Sequence, residues 1–146
     1  MKRLCVIEDG DEYLEFARVF LRDWELSPAQ SGAQALEVLK GLSADALFID
    51  LRFERAQPET LLGDVDGTAN RLFAGNRARA LRYLQDQQGT LILAALRAAG
   101  HHQPALFVHP FPARRLGNLR QLYGAVEAVD SFDANAIREA LLRSLT

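Results

Sequence analysis

Acidic side chains follow two apolar segments of this chain, at points where buried strands would end. Glu8 and Asp9 follow the segment LCVI (residues 4–7), and Asp50 follows ALFI (residues 46–49). If both segments are neighbouring parallel strands, these carboxylates converge at the edge where open α/β sheets bind ligands. Carboxylates so close together repel one another unless a cation neutralises them. The pattern therefore predicts a site for a hard divalent ion such as Mg²⁺, with Asp50 as metal ligand or nucleophile.

The same acidic residues have a plainer interpretation, in which they only form turns or cap helices. The apolar residues before Asp50 leave no polar alternation that would explain a charge at the end of a buried strand. A carboxylate in such a place can accept a phosphoryl group when a metal offsets the charge of that group. Both interpretations are left open by the residues themselves.

The elements that would position these residues alternate along the chain. Apolar segments are separated by helical patterns, which indicates a parallel sheet with helices on its faces. The predicted strands are 4–7, 26–29, 46–49, 104–108 and 125–129. The predicted helices are 13–24, one that carries Ala35 to Leu42 after the capping pair Ser31 and Gln34, 68–87, 91–99 closed by Gly100, 112–123, and a last one capped by Asp133. We expect an α/β, doubly wound, five-stranded parallel sheet in the order 2-1-3-4-5.

Composition limits the class of protein. The chain has 146 residues, of which 49% are hydrophobic and 25% charged, as expected of one domain that spans residues 1–146. The formal net charge of -2 argues against a strongly basic nucleic-acid binder. A single cysteine, Cys5, is typical of a reducing compartment. The apolar run after Met1 is too short for a signal peptide or a membrane span, so we expect a cytoplasmic protein without a membrane partner.

The segment LCVIEDGDEYLEFARVFL, followed by ALFIDL, resembles the receiver domain of two-component response regulators. The resemblance covers nearly the whole chain and implies a flavodoxin-like fold. It also implies that Glu8 and Asp9 bind Mg²⁺ together with Asp50, which matches the phosphorylation site of that family. The backbone carbonyl of Arg52 falls where the family supplies a further metal ligand. A histidine kinase or a downstream effector is the partner that the resemblance implies.

Three positions that carry the signal in this family are altered. At the end of strand 4, where the family has Ser or Thr, this chain has His109. After strand 5, Asp130 stands where the family has Lys, and Glu127 stands where it has a switching aromatic residue. The lost hydroxyl and lysine contact the phosphoryl oxygens in the family, and Asp130 adds a charge that disfavours an aspartyl phosphate. We therefore expect an atypical receiver without conventional phosphorylation switching.

The connection between strand 3 and the next helix is longer than in this family. Residues 53–87 form the extra segment, which we expect to contain a loop and a polar helix. Its arginines indicate an anionic partner, and the alternative is a solvated helix whose arginines lie over apolar surface. These arginines are Arg55, Arg71, Arg77, Arg79 and Arg82. The motif DVDG (residues 64–67) lacks the later ligands of a calcium loop and is expected to be a turn.

The sequence around His109 supports a second hypothesis. The strand end ALFVHPFPARRL is similar to that of atypical receivers predicted to process cyclic phosphates. This similarity implies His109 as general acid or base, with Arg114 and Arg115 holding phosphate. The histidine that this group has directly before the strand-3 aspartate is Ile49 here. A lone histidine at a strand end can also be purely structural.

Three functions follow from these observations, and one of them is a genuine aspartyl-phosphate receiver with unusual readout. The first is a stand-alone atypical receiver that acts in signal transduction through protein contacts, with a homodimer as a further alternative. By analogy to the family, its partner surface would include Leu119, Leu122 and Tyr123. The second is a metal-dependent phosphoesterase that acts on cyclic or nucleotide phosphates with Asp50 and His109.

Overall fold

Five strands form one parallel sheet in the order β2-β1-β3-β4-β5 in the computed structural model, which describes residues 1–146. The strands are β1 (Lys2–Ile7), β2 (Trp24–Ala29), β3 (Ala46–Ile49), β4 (Ala105–Val108) and β5 (Val126–Val129). The helices are α1 (Glu12–Phe20), α2 (Gly32–Gly41), α3 (Val65–Leu72), α4 (Arg77–Asp86), α5 (Gln88–Ala98), α6 (Ala113–Tyr123) and α7 (Ala134–Ser144), with a short 3₁₀ helix at Pro58–Thr60. None of these helices has both the length and the hydropathy needed to cross a lipid bilayer. The predicted fold class, strand order and inserted helical segment between β3 and β4 are confirmed.

The central strands are buried on both faces of the sheet. In β1, Cys5 and Ile7 face a core layer beneath α2, α5 and α6, whereas Leu4 and Val6 face a second layer beneath α1 and α7. This arrangement explains why the strands are continuously apolar instead of alternating with polar residues. Each fully buried Leu or Ile side chain contributes about 1.5–3 kcal/mol. The strands that carry the acidic residues at their ends are therefore packed into the core on both faces.

Side chains that were predicted to cap helices do so. The Ser31 hydroxyl accepts a hydrogen bond from the Gln34 N–H at 3.1 Å, and the Asp133 carboxylate accepts one from the Asn135 N–H at 3.0 Å. In a capping box the Gln34 side chain would accept from the N–H of the N-cap residue, Ser31. Here it accepts from the N–H of Gln30, the preceding residue, at 2.9 Å. Each cap contributes about 1 kcal/mol to helix stability.

The predicted boundary between α1 and β2 is wrong. The helical pattern extends to Trp24, whereas α1 ends at Phe20 and Trp24 begins β2. Trp24 lies in register with Lys2 of β1. Trp24 has the spacing of a residue on the apolar face of α1. It joins β2 instead, because its pairing with β1 extends the edge strand of the sheet.

The inserted segment holds two helices where the pattern predicts one over residues 68–87. A turn separates α3 from α4, and Ala74 and Gly75 have φ angles of 50° and 83° there. Left-handed backbone cannot continue a right-handed helix, so the single predicted helix is wrong. Asn76 then caps α4 by accepting a hydrogen bond from the Arg79 N–H at 3.1 Å.

One buried amide fastens the insertion to α5. Gln88, which is 1% exposed, accepts from the Leu62 N–H at 2.7 Å and donates to the carbonyls of Leu62 and Leu84 at 3.1 Å each. These hydrogen bonds pair peptide groups that have left the solvent. In the DVDG motif, Asp64 caps α3 by accepting from the Gly67 N–H at 3.1 Å. Residues 65–67 belong to α3, so the prediction that the motif is a turn is wrong.

One residue of the predicted partner surface belongs to the core. Leu119 is 7% exposed and packs in the layer beneath α6, so little of its side chain is available to a partner, and its place on a partner surface stays a prediction. Leu122 is 70% exposed, and Tyr123 is half-buried against the same core layer. Helix α6 therefore presents only part of the predicted surface to solvent.

Candidate functional site

Asp9 and Asp50 line the same cleft at the carboxyl edge of the sheet. β1 and β3 are adjacent, with Ile7 opposite Ile49, and the Asp50 N–H donates to the Ile7 carbonyl at 2.9 Å. The residues that follow both strands therefore emerge side by side. The cleft, called the acidic cleft below, has a volume of about 240 Å³ and is lined by Asp9, Asp50, Arg52, Glu54 and Arg55.

The Asp50 carboxyl is poorly solvated. Burial at the end of β3 raises the pKa of Asp50 to about 7, and the charges of Asp9 and Glu8 act in the same direction. The Arg52 N–H, which donates to Asp50 Oδ1 at 3.3 Å, opposes this rise in pKa. Near neutral pH, Asp50 is therefore only partly ionised unless a cation enters the acidic cleft.

Tyr13, a residue of α1, lies beside Asp50. Burial raises the pKa of Tyr13, and the nearby Asp50 carboxylate raises it further, so the phenol stays protonated. The Tyr13 ring contacts Phe48 and Phe132, with ring centroids 4.8 Å apart in each pair. The sequence gives Tyr13 no distinguishing motif, and only the packing of α1 against the sheet brings it near Asp50.

Glu8 points into the start of α1. It is 3% exposed, and its two carboxylate oxygens accept hydrogen bonds from the N–H groups of Tyr13 at 2.9 Å and Leu14 at 2.8 Å. Burial raises the pKa of Glu8, and these two hydrogen bonds lower it. A carboxylate at this place neutralises the unpaired N–H groups of a helix N-terminus. Its role as a metal ligand stays a prediction, which would require these hydrogen bonds to be given up.

One residue of the insertion, Arg55, reaches both the acidic cleft and α1. Its backbone N–H donates to Asp9 Oδ2 at 2.7 Å, and its guanidinium donates to Glu12 Oε1 at 2.5 Å. The hydrogen bond from Arg55 lowers the pKa of Glu12. The sequence offers only a weak signal for this arrangement, because Arg55 is one of several arginines in the insertion and Asp9 is 46 residues away.

His109 directly follows β4 at the same edge of the sheet and does not line the acidic cleft. Its ring contacts Phe111 edge-on, with centroids 4.6 Å apart, and the Arg115 guanidinium carbon lies 4.9 Å from the centroid of the Phe111 ring. Burial lowers the pKa of His109, and the positive charges of Arg52 and Arg115 lower it further. These effects favour the neutral form of the imidazole. Arg114 is exposed at the start of α6.

Glu127 and Asp130, at and directly after β5, lie outside the acidic cleft. The Glu127 carboxylate is 3.5 Å from the Arg120 guanidinium of α6 and 3.8 Å from that of Arg143 in α7. Glu127 therefore forms ion pairs with both helices that flank its strand. Asp130 is exposed directly after β5.

The residues of the acidic cleft fit a divalent cation in part. No group of three or more His, Cys, Asp or Glu side chains is arranged to hold a metal ion. Asp9 and Asp50 each use one oxygen to accept a backbone hydrogen bond, from Arg55 and Arg52 respectively, and the second oxygen of each is free of backbone partners. Because Mg²⁺ commonly binds one or two carboxylates and keeps several waters, these two side chains suit it.

Comparison with known proteins identifies the fold. No protein-family profile matches the chain, and no curated protein matches its sequence. The receiver domain of the Francisella response regulator 1452 is 11% identical, with a TM-score of 0.66 over 99% of this chain and 97% of that one. The chemotaxis protein CheY4 of Vibrio cholerae is 16% identical, with a TM-score of 0.64 over 99% of both chains. The receiver domain of NtrX from Brucella abortus is 13% identical, with a TM-score of 0.65 over 97% of both chains. The fold is that of a response-regulator receiver domain.

In this receiver fold, the acidic cleft lies where β1 and β3 end, and the extra helices α3 and α4 follow β3. Arg55, which lies in the turn at the beginning of the insertion, lines the acidic cleft itself. Identities of 11% to 16% establish the fold, so the chemistry of the cleft has to be judged from the side chains of this chain.

Proposed function

We propose that this chain is an atypical receiver domain in signal transduction, with a Mg²⁺ site at Asp9 and Asp50. The observation that carries the proposal is that both carboxylates line one cleft at the carboxyl edge of a receiver-type sheet. Arg52 lines the same cleft, and its backbone carbonyl is the proposed third ligand. Glu8 adds negative charge near Asp50. When bound, Mg²⁺ supplies the positive charge that lets an anionic phosphoryl group approach Asp50.

The output of this receiver is proposed to run through protein contacts without the phosphorylation switch of the family. Glu127 is engaged in ion pairs with Arg120 and Arg143, where the family has an aromatic side chain that moves. Asp130 is a negative charge where the family has a lysine. A histidine kinase or a downstream effector is the proposed partner, and it would contact the exposed side of α6 around Leu122.

Two measurements test this function. Calorimetric titration with Mg²⁺ should detect binding in the wild type and loss of binding in Asp9→Asn and in Asp50→Asn. Incubation with Mg²⁺ and a small phosphodonor, followed by intact mass measurement, should show no stable adduct. A stable adduct that disappears in Asp50→Asn would instead establish conventional phosphorylation. Absence of Mg²⁺ binding both in the wild type and in a variant without the positive charge of Arg55 would contradict the proposed metal site.

A second candidate function is a phosphoesterase, and the observation that favours it is the environment of His109. Burial and two arginine charges lower the pKa of its imidazole and favour the neutral form, whose lone pair can accept a proton. Arg115, which lies over the Phe111 ring, would hold the phosphate of a cyclic nucleotide.

Hydrolysis of a cyclic nucleotide in the presence of Mg²⁺ tests this second candidate. Activity that is lost in His109→Ala and retained in His102→Ala, whose histidine is exposed after α5, would establish it. Equal rates in the wild type and His109→Ala would exclude the histidine from any such reaction.

A further inference from the structure

The acidic cleft is lined by a positively charged side chain, that of Arg55. Arg55 lies at the beginning of the insertion, and its backbone N–H holds Asp9 Oδ2 at 2.7 Å. Its side chain is thereby directed along the cleft toward α1, where the guanidinium donates to Glu12 Oε1 at 2.5 Å. Arg55 therefore contacts both Asp9, directly after β1, and Glu12, at the start of α1.

The position of the guanidinium is defined by its contact with the loop after β1. A Cβ atom built on Gly10 would lie 2.6 Å from Arg55 Nη1 and 3.0 Å from Arg55 Cζ. The guanidinium therefore lies directly on the backbone of Gly10, between Asp9 and Glu12. The charges of Glu12, Asp9 and Asp50 all act to raise the pKa of Arg55. The side chain is thus surrounded by the same negative charges that would attract a metal ion.

We propose that Arg55 is the resident counter-cation of the acidic cleft and that it weakens the affinity of the cleft for divalent cations. This inference rests on the proposed Mg²⁺ site at Asp9 and Asp50. A divalent ion that binds these carboxylates meets the charge of Arg55, because the backbone hydrogen bond to Asp9 holds residue 55 beside the site. The insertion would in this way set the metal concentration at which the receiver responds.

The size of the effect follows from the charges. At a separation of roughly 6 Å in water, repulsion between a unit charge and a divalent ion weakens binding by about tenfold. Screening at physiological salt reduces the effect to about threefold. Removing the guanidinium leaves the backbone hydrogen bond between residue 55 and Asp9 intact, so the substitution changes the charge more than the shape of the loop.

The experiment is a calorimetric Mg²⁺ titration of the full chain at low salt and pH 8. Arg55→Ala and Arg55→Gln are expected to tighten the Mg²⁺ Kd by about three- to tenfold, whereas Arg55→Lys keeps the charge and stays near the wild-type value. Arg18→Ala is the matched control, because Arg18 pairs with Glu15 at 2.7 Å on the exposed side of α1, away from the cleft. Its Kd should stay within about twofold of the wild type. Thermal unfolding in EDTA verifies that each variant is folded.

The outcomes separate the two proposals. A wild type that fails to bind Mg²⁺ together with an Arg55→Ala variant that binds it also supports the role of Arg55. An unchanged or weaker Kd in both Arg55→Ala and Arg55→Gln, with binding still lost in Asp9→Asn, overturns that role and leaves the receiver site standing. Failure of every variant to bind Mg²⁺ overturns both.

Discussion

A Cβ atom on Gly89 would lie 2.3 Å from the carbonyl oxygen of Asp50. Gly89 is in the first turn of α5, and its N–H donates to the Leu51 carbonyl at 2.8 Å. The helix that follows the insertion is therefore packed backbone to backbone against the strand end that carries Asp50. This contact fixes the position of the acidic cleft relative to α5.

Replacing Gly89 by Ala is expected to destabilise the protein by about 1–3 kcal/mol, because the added methyl group forces the helix away from the strand end. Urea unfolding measures this free energy. Gly117→Ala is the control, since Gly117 lies within α6 and a Cβ there meets no atom within 4 Å. That substitution should stabilise the protein by about 0.5–1 kcal/mol. Equal stability of Gly89→Ala and the wild type would show that α5 is free to shift.

The stability of the metal-free protein is expected to fall as pH rises toward 8. Burial raises the pKa of Asp50 from its usual 3.8 to about 7, so the folded protein binds a proton that the unfolded chain releases. The stabilisation is complete below pH 4 for this group and is lost as pH rises through about 7. Between pH 5 and pH 8 the loss is on the order of 2 kcal/mol, after allowance for partial exposure.

Urea unfolding in EDTA at a series of pH values measures this dependence. Asp50→Asn should remove most of it and should be more stable than the wild type at pH 8. Addition of Mg²⁺ should restore stability to the wild type at pH 8 and not to Asp50→Asn. A pH profile identical in both proteins would mean that Asp50 is well solvated.

Glu8 is expected to act first as the N-terminal cap of α1. Glu8→Ala removes the acceptor of the Tyr13 and Leu14 N–H groups and should cost about 1–3 kcal/mol in urea unfolding. Glu15→Ala, on the exposed side of the same helix, should change stability by less than about 0.5 kcal/mol. Calorimetry should also show a smaller loss of Mg²⁺ affinity in Glu8→Gln than in Asp9→Asn. The reverse order would make Glu8 a direct ligand.

The insertion is expected to open locally when Gln88 is replaced by Ala. The substitution leaves the peptide groups of Leu62 and the carbonyl of Leu84 without their side-chain partner, at a cost of about 1–3 kcal/mol. Hydrogen exchange should become faster in residues 58–86 and stay unchanged in β1 and β3. Gln121→Ala, at an exposed position of α6, is the control that should alter neither region. Uniformly faster exchange across the sheet would mean that the insertion is part of the global folding unit.

Most of the fold was predictable because its signals are local. Strands such as Ala46–Ile49 are continuously apolar since both faces are covered, and caps such as Ser31 and Asp133 mark where helices begin. Predictions failed where a contact between distant segments overrode the local pattern. Trp24 joins β2 through its pairing with β1. Leu119 is placed on a partner surface by analogy to the family alone, and its side chain packs into the core beneath α6.

By itself, the sequence determined that carboxylates stand at the ends of two buried strands, because strand burial and strand ends follow from the order of apolar and acidic residues. Only the tertiary structure decided which carboxylates face the same cleft. Glu8 and Asp9 are adjacent in sequence, yet Glu8 caps α1 whereas Asp9 faces Asp50 and accepts the Arg55 N–H. The direction of a side chain at a strand end depends on which distant backbone groups need a hydrogen-bond partner. Here those groups belong to α1 and to the insertion, so the direction is decided only when both have packed onto the sheet.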